Sequence, residues 1–184
     1  IILDYLPQGL PGSYGKSSGP ICYALGTTEF KLFELTVKPG AKIAIDDEVY
    51  IGKDTNLRTQ IEHVKRRISY SQLNSTAQGE LEPVVRDIVT KKMEKEFVKF
   101  YNNAQPISLK VHLLEKLPGM GKKTLIEFLT ARDKGPFKSF ADIKERVPLM
   151  DDPAKFIVDR IVQEISEPDT PHYIVANDGQ KRNN

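Results

Sequence analysis

The 184-residue sequence contains one cysteine, Cys22. An internal disulfide framework is therefore excluded, a cysteine-rich zinc cage has no ligands, and a reducing compartment is the expected setting. Long apolar runs are missing too. No stretch reaches the ~18–20 uninterrupted apolar residues that a bilayer crossing needs, and 39% hydrophobic with 28% charged residues is the composition of an ordinary soluble globule. Neither charge sign is in excess: 27 Lys and Arg face 25 Asp and Glu, for a net +2. No strong overall field draws the chain to polyanions, so any nucleic-acid contact has to be local. The N-terminus, Ile1-Ile2-Leu3-Asp4-Tyr5, has neither an initiator Met nor the basic-then-apolar order of a signal peptide, and it reads as trimmed.

Catalytic residue types are equally sparse. His63, His112 and His172 lie far apart, with no His-x-His or His-Glu-x-x-His pattern and no Cys–His pairing. The expectation is a non-enzyme with no cofactor and no metal. Asp46-Asp47 and Asp151-Asp152 read as turn and helix-start caps, and a metal-dependent nuclease is the least favoured alternative.

What is present falls into zones. Short β-branched and apolar runs occupy Ile1 to Leu6, Pro20 to Leu25, Phe30 to Val37, Ala41 to Ile45, Val49 to Gly52 and Ile61 to Ile68, separated by turn residues. The expected fold class is α+β, with a small N-terminal β-barrel of about five strands, OB-like or SH3-like, over residues 1–68. A helical linker follows over 69–105. Val85, Val89, Met93, Phe97 and Tyr101 make one stripe of a long helix with Pro83 in its first turn. Over 106–167 the pattern predicts short helices: Leu109 to Leu117 capped by Ser108, Phe140 to Val147 capped by Ser139, and a third from Asp152-Pro153. The tail, 168–184, is expected to be mostly disordered.

The sharpest motif is Leu117-Pro118-Gly119-Met120-Gly121-Lys122-Lys123-Thr124. It resembles the hairpin of a helix-hairpin-helix motif, in which Leu-Pro-Gly-apolar-Gly is followed by Lys or Arg. The two glycines permit close backbone approach and the next helix start offers N–H groups to an anion. Lys122 and Lys123 add charge, and the Thr124 hydroxyl is a further donor. Such contacts grip backbone and carry no sequence code. Thirty residues on, Val147-Pro148-Leu149-Met150-Asp151 reads as a degenerate second copy, acidic where the first is basic, whose expected role is structural. The same glycines also suit a plain helix connection or a protein-docking surface.

A wider set of residues supports a second resemblance. Pro39-Gly40, Glu48-Val49-Tyr50-Ile51-Gly52-Lys53, Val64-Lys65-Arg66-Arg67-Ile68-Ser69-Tyr70 and Phe97-Val98-Lys99-Phe100-Tyr101-Asn102, followed by the hairpin, resemble the archaeal family catalogued as domain of unknown function 655. The resemblance implies a barrel joined to tandem hairpin helices and a label of RNA or nucleotide binding.

Lys65-Arg66-Arg67 is the densest cationic run; strand alternation would put Lys65 and Arg67 on one face and Arg66 on the other. They either meet phosphates or protect a solvated edge strand. Tyr5, Tyr23 and Tyr50 are candidate base-stacking rings. Gly12-Ser13-Tyr14-Gly15-Lys16-Ser17 ends like a phosphate loop, but Leu10 stands where its first glycine belongs, so a flexible loop is expected.

The expected function is a cytoplasmic, non-enzymatic nucleic-acid-binding protein. Its partner would be an RNA or DNA backbone and no membrane. The site would comprise Pro118, Gly119, Met120, Gly121, Lys122, Lys123 and Thr124 with Lys65, Arg66 and Arg67. The alternative is a protein adaptor in the translation or transcription machinery.

Overall fold

The structure, a computed structural model, describes residues 1–10 and 19–175; the Gly12 to Ser17 loop lies outside them. The chain divides into two compact units, Ile1–Val84 with the stretch from Ile165, and Val85–Glu164. The expected linker over 69–105 is thus shared between them.

The first unit is built on four antiparallel strands, β1 (Ile2–Leu6), β2 (Ile21–Leu25), β3 (Leu32–Val37) and β4 (Ile61–Ile68), in the order β1-β2-β3-β4. The expected strands at 41–45 and 49–52 do not form. Their alternating apolar residues have a different use. Ala41, Ile43, Val49 and Ile51 pack on Ile2, Cys22, Ala24, Leu35, Val37 and Ile61, so the β3–β4 connection covers one sheet face without pairing along it. It bonds the sheet edge at Ile2, whose N–H donates to Asp47 O (2.9 Å) and whose carbonyl accepts from Asp46 N (2.9 Å). Burial of Cys22 pushes its thiol pKa up to about 12, which leaves the sulfur a packing atom. Ile21, Tyr23, Leu25 and Leu32 on the other face are also buried.

The helix α1 spans Ser75–Asp87. It starts well before the position expected for it, because Asn74 Oδ1 caps the Ala77 N–H (2.9 Å) and Leu73, Ala77 and Leu81 extend the buried stripe upstream. Pro83 therefore lies inside the helix. The intrahelical bond it forfeits is that to Gly79, an exposed residue whose carbonyl water can satisfy. A π turn over Ile88–Lys92, closed by Met93 N donating to Ile88 O (2.9 Å), separates α1 from α2 (Glu94–Asn103). Val85, Val89, Phe97 and Tyr101 are all buried across this break.

The second unit continues with α3 (Lys122–Asp133), α4 (Phe140–Arg146) and α5 (Pro153–Ser166). Its centre is Tyr101, fully buried, 5.4 Å from the Phe128 ring and 6.4 Å, edge-on, from Phe140. The Tyr101 hydroxyl donates to Pro153 O (2.8 Å). The Arg132 guanidinium collects the carbonyls of Tyr101, Asn102 and Ala104 at the end of α2. Arg146 closes the end of α3, bonding Gly135 O (2.7 Å) and lying 4.3 Å over the Phe137 ring.

Ser108 does not cap a helix over 109–117. Its Oγ accepts from Val111 N (3.1 Å) in a tight turn, and only Leu113–Lys116 coils, as a 3₁₀ turn. His112 supplies the cap: Nδ1 accepts from Leu114 N (3.1 Å) while Glu115 Oε1 accepts from His112 N (2.6 Å). The other two helix starts match expectation. Ser139 Oγ accepts from Asp142 N (3.1 Å) at α4, and Asp152 Oδ1 from Lys155 N (3.2 Å) at α5. Of the tail, the residues to Val175 are described and Val175 is buried.

Candidate nucleic-acid interface

In the second unit one turn leads from the Leu113–Lys116 3₁₀ turn into α3 and another from α4 into α5, and the two turns close alike. Met120 N donates to Leu117 O (3.0 Å) in the first, and Met150 N to Val147 O (2.8 Å) in the second. Leu117 and Met120, like Val147 and Met150, are buried. Met120 is therefore an anchor that sets the turn in the core, not a side chain that reaches a ligand.

Between the buried pairs the turns diverge. Gly119 has φ +84°, a left-handed conformation that glycine alone adopts cheaply, and a Cβ there would stand 3.4 Å from Phe156 Cε1. Leu149 stands in the equivalent place without a positive φ and is exposed. Gly121, the N-cap of α3, has φ −75° and open space where a Cβ would be. Its own N–H is spent on Gly119 O (3.0 Å). The free donors are one to three residues further on. The backbone N–H groups of Lys122, Lys123 and Thr124 have no partner among the described residues, and no side chain caps the helix. Gly121, Lys122 and Lys123 are exposed, while Pro118 and Thr124 are half-buried.

The start of α5 is the opposite case. Pro153 has no N–H to offer, Asp152 Oδ1 accepts from Lys155 N, and the two acids are neutralised locally, Asp152 by Arg86 (2.6 Å) and Asp151 by Lys144 (2.9 Å). One turn thus offers uncovered amides, a helix dipole and two ammonium groups to an anionic oxygen; the other has filled the same place with its own carboxylate.

The first turn is also braced. Arg160, nearly buried, bonds Glu164 Oε1 (2.8 Å) and donates to Lys116 O (3.1 Å), the carbonyl just ahead of the hairpin. Arg160 and Gln163 line a shallow groove of about 590 Å³ along Glu115 to Gly121. Nothing along the chain marks Arg160 beyond its place in an amphipathic run.

On the sheet, the cationic run is arranged differently from the alternation expected. Arg66 pairs with Glu34 but Val64 pairs with Leu35, so Lys65 is an extra residue in a bulge. Both Lys65 and Arg66 turn to Glu34, Nζ to Oε1 at 2.6 Å and Nη2 to Oε2 at 2.7 Å. Glu34 is fully buried. Burial pushes its carboxyl up, but hydrogen bonds and charge from Lys65 and Arg66 outweigh that and hold it below the ordinary value. Arg67, the third of the run, is exposed. Of the candidate rings, Tyr23 is buried, its hydroxyl pKa raised by burial and then by Glu34, and cannot stack on a base. Tyr5 packs on the sheet core, and Tyr50 is exposed.

The model of the family described as "Protein of unknown function (DUF655)" matches residues 1–177. The chain belongs to this family. The uncharacterized protein MJ0038 of Methanocaldococcus jannaschii is 40% identical over 166 residues, which are 90% of this chain and 73% of that protein. The crystal structure of the DUF655 protein Af1531 from Archaeoglobus fulgidus superposes with a TM-score of 0.87 at 36% identity, covering 96% of this chain and 97% of the other. Among the described residues no helix is long and apolar enough to cross a membrane.

Proposed function

We propose that this DUF655 protein is a cytoplasmic, non-enzymatic nucleic-acid-binding protein that holds an RNA or DNA backbone at the start of α3 with little sequence preference. In this reading the Leu113–Lys116 turn with α3, and α4 with α5, make up a tandem helix-hairpin-helix module in which the first hairpin binds and the second packs. The four-stranded sheet with its covering connection is a reduced form of an OB-like or SH3-like barrel. The observation that carries the proposal is the contrast between the two helix starts. The amides of Lys122, Lys123 and Thr124 are left open beside two exposed lysines, while at α5 the Asp152 carboxylate caps the Lys155 amide and Pro153 has none.

Because Glu34 cancels one of the two charges of Lys65 and Arg66, few phosphates are met. The expected salt slope is shallow, about two to four contacts at ~0.9 each on duplex. Fluorescence titration of labelled RNA and DNA at several salt concentrations tests this, with the variant Lys122→Glu plus Lys123→Glu expected to lose most of the affinity. Binding that is absent for every polymer, or unchanged in the double variant, overturns it.

A second reading, an adaptor that docks another protein, is favoured by exposed Ile126 on α3 and Leu149 on the second turn. Glu127, next to Ile126, has Oε1 3.5 Å from Leu149 N. Partners retained in a pull-down after nuclease treatment, and unaffected by the double variant, would select it.

A further inference from the structure

The second unit carries an apolar feature that neither its core nor the hairpin uses. Between the end of α2 and the Leu113–Lys116 turn the chain makes a narrow loop, closed by a bridge between Pro106 and His112. Ile107 N donates to Val111 O (2.9 Å) and Ser108 N to the same carbonyl (3.2 Å). Ser108 Oγ accepts from Lys110 N (3.3 Å) and Val111 N (3.1 Å). The base of the loop is fastened as well, by Arg132 on Ala104 O (2.8 Å) and by Leu113 N on Gln105 O (3.1 Å). On this fixed tip stand Leu109, fully exposed, and Ile107, 48% exposed. The fold gains nothing by burying the Leu109 side chain, and two aliphatic residues occupy a turn that Gly, Asn, Asp and Ser ordinarily fill.

Charge and size together select what the tip meets. From the tip to the start of α3 the chain carries Lys110, Lys116, Lys122 and Lys123 against one acid, Glu115. None of the four ammonium groups is paired with a carboxylate among the described residues, and Glu115 is spent on His112 N (2.6 Å). This stretch therefore suits a polyanion. Two aliphatic side chains are a small part of the ~800 Å² that each side of a stable protein interface buries, yet one or two are enough to part a base step in a duplex. Neither tip residue is aromatic, the type on which the bases of a single strand stack. The tip and the start of α3 belong to the same unit. The thirteen residues from Leu109 to Lys122 keep them within ~45 Å of each other, about a dozen base-pair steps of ~3.4 Å, so one short duplex can reach both.

We infer that Ile107 and Leu109 are a wedge that enters a base step of double-stranded DNA from the minor groove while the start of α3 holds the phosphates. The inference rests on the backbone-binding reading and deepens it, from either nucleic acid to a DNA duplex kinked at the wedge; the minor groove of duplex RNA is wide and shallow and gives such a tip no walls. The full chain would be titrated at low salt into two twenty-base-pair DNA duplexes, one matched and one with a central mismatch, each carrying 2-aminopurine beside the central pair. Anisotropy reads binding and 2-aminopurine fluorescence reads unstacking. A mismatch lowers the cost of opening the step, so the native protein should prefer the mismatched duplex by about fivefold or more, with a severalfold rise in fluorescence. Leu109→Ser, and Ile107→Ser plus Leu109→Ser, change exposed side chains that the fold does not use; they should bind both duplexes alike, without the rise. Lys122→Glu plus Lys123→Glu should weaken both duplexes by the same factor and keep the mismatch preference. If that double variant binds like the native protein while the preference still depends on Leu109, the hairpin reading fails and the wedge stands. If the native protein binds DNA with no preference and no rise, or if Leu109→Ser keeps both, the wedge is overturned and the hairpin reading stands. Binding to single strands only, the same preference on duplex RNA, no DNA binding at all, or Leu109-dependent sedimentation with phosphatidylglycerol vesicles in place of DNA binding would also overturn it, the last giving the tip to a lipid surface.

Discussion

Gly121→Asp would give α3 the same kind of cap that α5 carries. At position 121 the backbone is φ −75°, ψ 165°, an extended conformation that any residue adopts, and no atom lies within 4 Å of an added Cβ. An aspartate there can cap an amide of Lys123 or Thr124 as Asp152 caps Lys155. Replacing a glycine N-cap gains a few tenths of a kcal/mol, and a carboxylate at a helix start about 0.3–1 kcal/mol more. The fold should be stabilised by about 0.5–1.5 kcal/mol, seen as a rise in Tm of roughly 2–4 °C per kcal/mol for a chain of this size. Nucleic-acid affinity should move the other way. Each charge-assisted hydrogen bond withdrawn from a phosphate is worth about 1.5–3 kcal/mol, so occupying one amide costs at least about tenfold in Kd. Gly121→Ser, an uncharged cap, should show the same opposition with a smaller loss, and Gly121→Ala, which caps nothing, should bind like the native protein. Thermal circular dichroism and fluorescence anisotropy on the same preparations read both quantities. If Gly121→Asp and Gly121→Ala bind equally well, the amides of α3 are not where the polymer is held.

Three further outcomes are expected. Gly119→Ala, at φ +84° with Phe156 beneath it, should destabilise the fold by about 1–2 kcal/mol, measured by urea unfolding; an unchanged midpoint would show that the turn relaxes. Glu34→Gln should cost about 1–3 kcal/mol at neutral pH, less than the ~3–5 of a wholly buried pair because Lys65 and Arg66 are 41% and 44% exposed and water takes over part of their solvation. Since the Glu34 carboxyl is held below its ordinary 4.5, its contribution is complete above that pH. It is lost as pH falls through the lower folded value, so the gap between native and Glu34→Gln stability should narrow in acid. At His112, burial and then the Arg132 guanidinium hold the imidazole below its ordinary 6.5, against a weaker pull from Glu115. The neutral ring caps Leu114 through Nδ1. Stability from this group is full above about pH 6.5 and falls as pH drops through the folded value; His112→Asn, a cap that does not titrate, should flatten unfolding curves in that window.

The sequence alone determined the elements whose cause is local. β1 to β4, the buried stripe from Val85 to Tyr101, the Ser139 and Asp152 caps and the chemical asymmetry of the two turns follow from side-chain period, turn residues and capping, all of which act within a few positions along the chain. Tertiary structure decided what depends on partners remote in sequence. Ala41, Ile43, Val49 and Ile51 alternate as a strand would, yet they cover a sheet face, because their burial is satisfied by Leu35 and Ile61 without backbone pairing. Lys65 and Arg66 read as free cations until the bulge in β4 turns both onto Glu34, 31 and 32 positions away. Within the hairpin itself, the sequence located the glycines, but only the folded turn assigned their tasks, with Gly119 supplying the left-handed bend and Gly121 an uncapped helix start. Alternation and capping are properties of neighbours in the chain, whereas charge pairing and face burial are properties of neighbours in space.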